Sequence, residues 1–226
     1  MASSSSSSGQ LSKLPQLHRF VTGHNDDGKA IVQTDNEFQW KPYDNDNMAF
    51  SVVYTTSSMP ADLNDDKDLT THDELMDTGK LGLVNPSGSV IRCVDFKPGY
   101  SCAMHRTQSL DYGIVLEGEI EMLLDSGEKH QMKRGDVAVQ RATQHQWRNK
   151  SDTEWARMMF VLQVSSAVIV SALLCIDHSK GYQAFDGGRQ RHEGRSRNNW
   201  RSSFQRQLII SRLYYSNILR KLAVLT

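Results

Sequence analysis

The chain has 226 residues, 38% of them hydrophobic, with 26 basic and 26 acidic side chains and no net charge. That length holds one ordinary domain with extensions, and the balanced charge argues against a nucleic-acid or membrane-surface protein. The balance hides a division: residues 1–164 carry 16 Lys and Arg against 23 Asp and Glu, whereas residues 165–226 carry 10 against 3.

In chain order, residues 1–13 hold six consecutive serines and no basic or apolar signal-peptide run, which predicts a disordered leader. Residues 14–88 read as strands and an acidic loop packing on a barrel. Within them, residues 30–34 and 49–54 are β-rich, and residues 61–77 form a loop with one helical turn. Residues 90–96 are a strand, and Lys97-Pro98-Gly99 a turn, because Pro presets φ and Gly permits a left-handed residue. Residues 112–124 continue in strand; Ile120, Met122 and Leu124 alternate there with Glu119, Glu121 and Leu123, the period of a half-buried strand. Asp125-Ser126-Gly127 closes a hairpin. Further strands over 129–132, 137–140, 145–148 and 157–163, with a turn at Lys133–Asp136, predict an all-β barrel or sandwich.

After residue 163 the pattern changes. Residues 164–176 are apolar but shorter than the roughly 20 residues that cross a bilayer, so no membrane span is expected. Residues 187–206 are Arg-rich without period, and residues 204–225 place Phe204, Leu208, Leu213, Ile218 and Leu222 at helical spacing. This basic tail reads either as an amphipathic helix that binds a membrane or partner, or as sequence foreign to the barrel, from a retained intron or shifted reading frame. Cys93, Cys102 and Cys175 lack the paired spacing of a disulfide framework, which predicts a reducing, cytoplasmic setting.

Two segments carry chemistry. One contains Gly99, His105, Thr107, Asp111 and Gly118; the other contains Gly135, His145 and Asn149. His105 and Thr107 share a strand face because side chains alternate, and Asp111 returns to that face on the neighbouring strand. Two imidazoles and a carboxylate converging inside a barrel suit non-haem iron, manganese, nickel or zinc. The alternative is that the histidines are hydrogen-bonded polar groups of a ligand-binding mouth without metal. Asp111 is either a direct ligand or a support for His105 or the substrate. Cys102 reads as a small buried residue, and His18, His24, His72, His130, His178 and His192 have no ligand-like spacing. The chain holds no phosphate loop, dinucleotide fingerprint or nucleophile elbow, so no nucleotide cofactor is expected.

These segments resemble the two motifs of the cupin superfamily, the small double-stranded β-helix or jelly-roll barrels. Thr107 stands where that family has a second His, Asp111 where it has Glu, and Arg141 where its second motif has Pro. The run from Gly135 to His145 is one residue shorter than in the family pattern. The resemblance covers residues 88–163. A narrower likeness to fungal and bacterial single-domain cupins, several from polyketide gene clusters, extends it to residues 16–163 through LHRFVTGHNDDGKAIV.

The resemblance implies a cupin barrel at 89–163, with iron foremost among the metals for His105, Asp111 and His145. Thr107, Gln140, Arg141 and Trp147 are expected to meet the substrate, with Arg141 either clamping an anionic group or pairing at the barrel rim. It further implies a tailoring oxidoreductase acting on an aromatic or polyketide intermediate, with a small molecule as partner and a homodimer left open. A non-redox decarboxylase, isomerase or cyclase, and a non-catalytic binding module, are the alternatives.

Overall fold

The computed structural model describes residues 9–166; the expectations for residues 1–8 and for the tail from residue 167 lie outside the described residues. In chain order the strands are β1 His18–His24, β2 Ala30–Glu37, β3 Lys41–Tyr43 and β4 Met48–Thr56, followed by helix α1 Lys67–Thr78. Then come β5 Ser89–Phe96, β6 Ser109–Glu117, β7 Glu119–Leu124, β8 Lys129–Lys133, β9 Val137–Arg141, β10 His145–Arg148 and β11 Ala156–Val164. All pairings are antiparallel. β1 and β2 form a hairpin; β10-β7-β8 form a second sheet; β3-β4-β5-β11-β6-β9 form a third. The two larger sheets enclose one apolar core, with Val90, Val94 and Phe160 meeting Ile120, Met132 and Trp147. The result is the all-β jelly-roll barrel expected, with added N-terminal strands.

Three local outcomes differ from the sequence reading, each for a physical reason. The strand expected over 112–124 is two strands, broken at Gly118, whose φ is +71°. A Cβ there would lie 2.9 Å from the Trp155 carbonyl oxygen, so the chain turns where glycine alone fits without strain. The acidic stretch expected as a loop contains a helix of 12 residues. Its many carboxylates mask a stripe of Leu69, His72, Leu75 and Met76, partly or fully buried on the helix, which packs against β4. Gly79, in the left-handed region, caps its end by donating its N–H to the Met76 carbonyl at 3.1 Å. Finally, residues 9–13, assigned to the disordered leader, lie against the barrel: Ser12 is buried and its hydroxyl donates to Asp95.

That contact belongs to the outer face of the large sheet. Even-numbered residues of β5 face the core, so Cys93 and Asp95 face outward, yet both are fully buried. Phe38 and Trp40, with partly buried Leu11 and Leu17, cover them. Beneath this cover Arg157 donates to Asp95 through Nε at 2.5 Å and Nη2 at 2.8 Å. Its Nη1 reaches the Pro15 carbonyl at 2.6 Å, and its guanidinium lies 4.7 Å from the centre of the Trp40 ring.

Asp95→Asn or Arg157→Met leaves one charge buried without its counterpart, so each should destabilise the protein by about 3–5 kcal/mol. Ser12→Ala should cost about 1 kcal/mol. Urea unfolding midpoints of the three variants against the parent protein check this order.

Candidate functional site

The core-facing side of the barrel encloses a cavity of about 600 Å³. Its wall draws on β4, β5, β6, β10 and β11 and the loop after α1, with His72 and Met76 of α1 also lining it. Phe50, Val94, Phe96, Phe160 and Leu162 contribute apolar surface, and His105, His145, Thr107, Asp111 and Arg92 contribute polar groups.

The two histidines are brought together by backbone pairing. Residues 100–105 run antiparallel along β10, with bridges Ser101↔Arg148 and His105↔His145. His105 N–H donates to the His145 carbonyl and His145 N–H to the His105 carbonyl, both at 2.9 Å. Directly opposed residues of an antiparallel pair present side chains on the same face, and the ring centres are 4.5 Å apart. Each ring is then oriented by its own turn: Nδ1 of His105 lies 2.9 Å from the Ala103 carbonyl, and Nδ1 of His145 lies 2.9 Å from the Thr143 carbonyl. A carbonyl only accepts, so both Nδ1 atoms carry the proton, and in the neutral ring each Nε2 keeps its lone pair. Burial pushes the His145 pKa down to about 4, and repulsion from His105 adds to that, against the opposing Thr143 hydrogen bond. His145 is therefore neutral at pH 7.

Asp111 is buried on β6. Its Oδ2 accepts the Thr107 hydroxyl at 2.8 Å, and its Oδ1 is buried with no partner. Burial raises its pKa, opposed first by the neighbouring Ser109 hydroxyl, then by the Thr107 hydrogen bond and the charges of His105 and Arg92. The two departures from the family pattern are thus coupled: the threonine in place of histidine holds the aspartate in place of glutamate. Among the described residues no three His, Cys, Asp or Glu side chains are grouped to hold a metal ion. Asp111 stands with Thr107 rather than in a three-ligand set with the histidines. The histidine pair itself fits a divalent ion, because imidazoles with a carbonyl-bound Nδ1–H present Nε2 in the orientation that metal-binding histidines use. The remaining positions would fall to water or substrate.

The other expected substrate residues divide. Trp147 lines the cavity with its ring edge-on to His145 at 5.4 Å, and Thr107 lines it beside Asp111. Gln140 is buried opposite Asp111 in the β6–β9 ladder, but it bonds Met122 Sδ at 3.0 Å and Thr143, and it is absent from the wall. Arg141 is exposed at the end of β9 and neither lines the cavity nor makes an ion pair among the described residues. Strand alternation turns it away from the inward face that Gln140 and Ala138 occupy. Cys102 lines the wall, with its thiol raised to about 11 by burial. His72 is buried at the far end, between Thr55 at 2.9 Å and Arg19 at 3.1 Å; since Arg19 only donates, Nε2 accepts and Nδ1 donates to Thr55.

Arg92 is the cavity residue that the sequence reading missed. The signal was present in SVIRCVDF, where Val90, Arg92, Val94 and Phe96 share one face by alternation.

An antiparallel jelly roll with two inward histidines from its two motif segments defines a cupin-type barrel. The cupin-domain family model matches residues 92–162. The chain is 43% identical over 156 residues to phomopsin biosynthesis cluster protein D of Diaporthe leptostromiformis, covering 67% of this chain and 82% of that one. It is 41% identical over 159 residues to oryzines biosynthesis cluster protein J of Aspergillus oryzae, covering 70% and 88%. It is 40% identical over 156 residues to the cupin-domain-containing oxidoreductase virC of Hypocrea virens, covering 68% and 78%. The chain belongs to the cupin family. Among the described residues no helix is long and apolar enough to cross a membrane.

The low His145 pKa has a stability consequence. Between pH 6.5 and about 4 the unfolded chain protonates this ring and the folded chain does not. Stability contributed by the neutral ring is present above pH 6.5 and is lost as pH falls, by up to about 1.4 kcal/mol per pH unit. Urea unfolding with EDTA present, from pH 7 to 4.5, should show a shallower pH slope for His145→Gln than for the parent protein.

Proposed function

We propose that this protein is a cupin tailoring enzyme of secondary metabolism, an oxidoreductase that takes an aromatic or polyketide-type intermediate into the barrel cavity. The observation that carries the reading is the pair of carbonyl-oriented imidazoles, His105 and His145, in the wall of a largely apolar cavity. In this reading Nε2 of each histidine holds a divalent ion, iron foremost, with manganese, nickel and zinc as the other candidates. When bound, iron supplies electron transfer with dioxygen. The relatives' names support the redox and biosynthetic parts of the reading.

The chain's own residues have distinct tasks. The backbone bridge between His105 and His145 fixes the separation of the two rings, so neither depends on a mobile loop. Trp147 and Phe160, with ring centres 5.6 Å apart, form the wall behind them and exclude water from one side. Thr107 holds Oδ2 of Asp111, with the Ser109 hydroxyl beside the same carboxylate, which fixes the group in the cavity wall. The protein is taken to act in the cytoplasm on a small molecule, without nucleic acid, and light scattering reads whether it forms a homodimer.

One observation favours a second reading. A neutral His145 and a buried Asp111 lining the same cavity suit a non-redox decarboxylase, isomerase or cyclase. There His145 accepts a proton and Asp111 orients the substrate. Turnover without oxygen marks that reading; ligand binding without turnover marks a binding module.

Elemental analysis after incubation with each ion, followed by desalting, tests the main reading. The parent protein should retain close to one ion per chain. His105→Ala and His145→Ala should each lose it with unchanged far-UV spectra, and Asp111→Asn, which touches neither histidine, should retain it. A parent protein that retains no ion removes the metal reading.

A further inference from the structure

We propose that Arg92 is the anchor for a carboxylate on the small molecule that enters the cavity, which makes the substrate class an organic acid with an apolar or aromatic body. The proposal rests on the reading of this cavity as the substrate site and adds to it the charge of the ligand.

Arg92 is 7% exposed and sits in the inward row of β5 between Val90 and Val94. Only one of its guanidinium nitrogens is engaged among the described residues: Nη2 donates to the carbonyls of Gly82 and Leu83, both at 2.9 Å. Nε is buried without a partner. Arg92 forms no ion pair within 4.0 Å, in contrast to Arg157 on the adjacent strand β11 and the opposite face, whose fork is filled by Asp95. The Phe50 ring, 5.6 Å from the guanidinium carbon, offers partial compensation. A guanidinium held in a mostly apolar wall with donors unused is costly, and an anion supplied from outside removes that cost. The Gly82 and Leu83 carbonyls take both hydrogens of Nη2 and fix the guanidinium from the loop after α1, so Nη1 is left to meet a carboxylate with a single charge-assisted hydrogen bond.

The alternative occupant is Asp111, the nearest acid by its electrostatic effect on Arg92. Its Oδ2 is taken by Thr107, and no Asp111 oxygen reaches an Arg92 nitrogen within 4.0 Å. The two groups face one cavity as separate poles. A carboxylate bound at Arg92 places the ligand body along Phe160, Leu162 and Trp147, toward the histidine pair.

The probe is 3-phenylpropionate against its neutral amide, 3-phenylpropanamide, titrated calorimetrically into the full-length protein with EDTA present at pH 7. Chelation keeps a bound ion from creating the acid preference, so loss of the metal reading leaves this comparison intact. The acid should bind about 10–100-fold more tightly than the amide, the range expected for a charge-assisted hydrogen bond. Arg92→Met should bring the two affinities together, and Arg92→Lys should keep part of the preference, as a point charge that the Gly82 and Leu83 carbonyls orient less firmly. Asp111→Asn should tighten acid binding severalfold by removing a competing negative charge. An acid that binds no better than the amide in the parent protein, whether both bind weakly or neither binds, overturns the proposal without reference to any variant. A preference that survives in folded Arg92→Met also overturns it.

Discussion

The bidentate ion pair of Arg157 and Asp95 is the contact on which the arrangement of the large sheet depends. Both side chains are fully buried on the face of β5 and β11 that points away from the barrel core. Two charges taken out of water are tolerable only when the geometry is good and the remaining donors and acceptors are met. Here the second Asp95 oxygen also accepts from Ser12, and the third guanidinium nitrogen reaches the Pro15 carbonyl. The N-terminal segment is therefore part of the fold: without it the outer face of the sheet would carry wet charges beside Cys93 and Trp40.

The same alternation that sends Asp95 and Arg157 outward sends Arg92, Val94, Met158 and Phe160 inward. The sheet thus holds two buried arginines of opposite status. Arg157 has its carboxylate and stabilises the covered face; Arg92 has two carbonyls, an aromatic ring and unused donors. A guanidinium paired with a carboxylate contributes to stability, whereas one without a counter-charge in a cavity wall contributes a preference for what enters.

The histidine pair shows a different economy of construction. His105 lies outside the regular strands, in an irregular segment, and its position is nevertheless set by two backbone hydrogen bonds to His145. Ring orientation comes from carbonyls two residues back in each case, a local effect available to both motif segments. Thr107 and Asp111 then make a separate polar contact close by. A second histidine at position 107 would remove the hydroxyl that occupies Asp111 Oδ2, so substitutions at these two positions are expected to act on one another.

Much of this was legible from residue order alone. β-rich runs and turn residues located β5 and β8–β11 within a residue or two, and the glycines at 99, 127 and 135, all with positive φ, punctuate the chain where turns were expected. Motif spacing singled out His105, Thr107, Asp111 and His145 as residues to look for in one cavity. These are short-range consequences of backbone geometry. Helix α1, the burial of Ser12, the break at Gly118 and the choice of Arg92 over Arg141 as the cavity arginine were decided by tertiary structure. Each depends on what lies across the chain: β4 beneath an acidic helix, Asp95 beneath a serine, Trp155 against a glycine, and the inner wall of a closed barrel. Alternation tells which residues share a face, but only the pairing of distant strands and the segments laid over them decides which face is dry, which charge finds a partner, and which is left for a ligand.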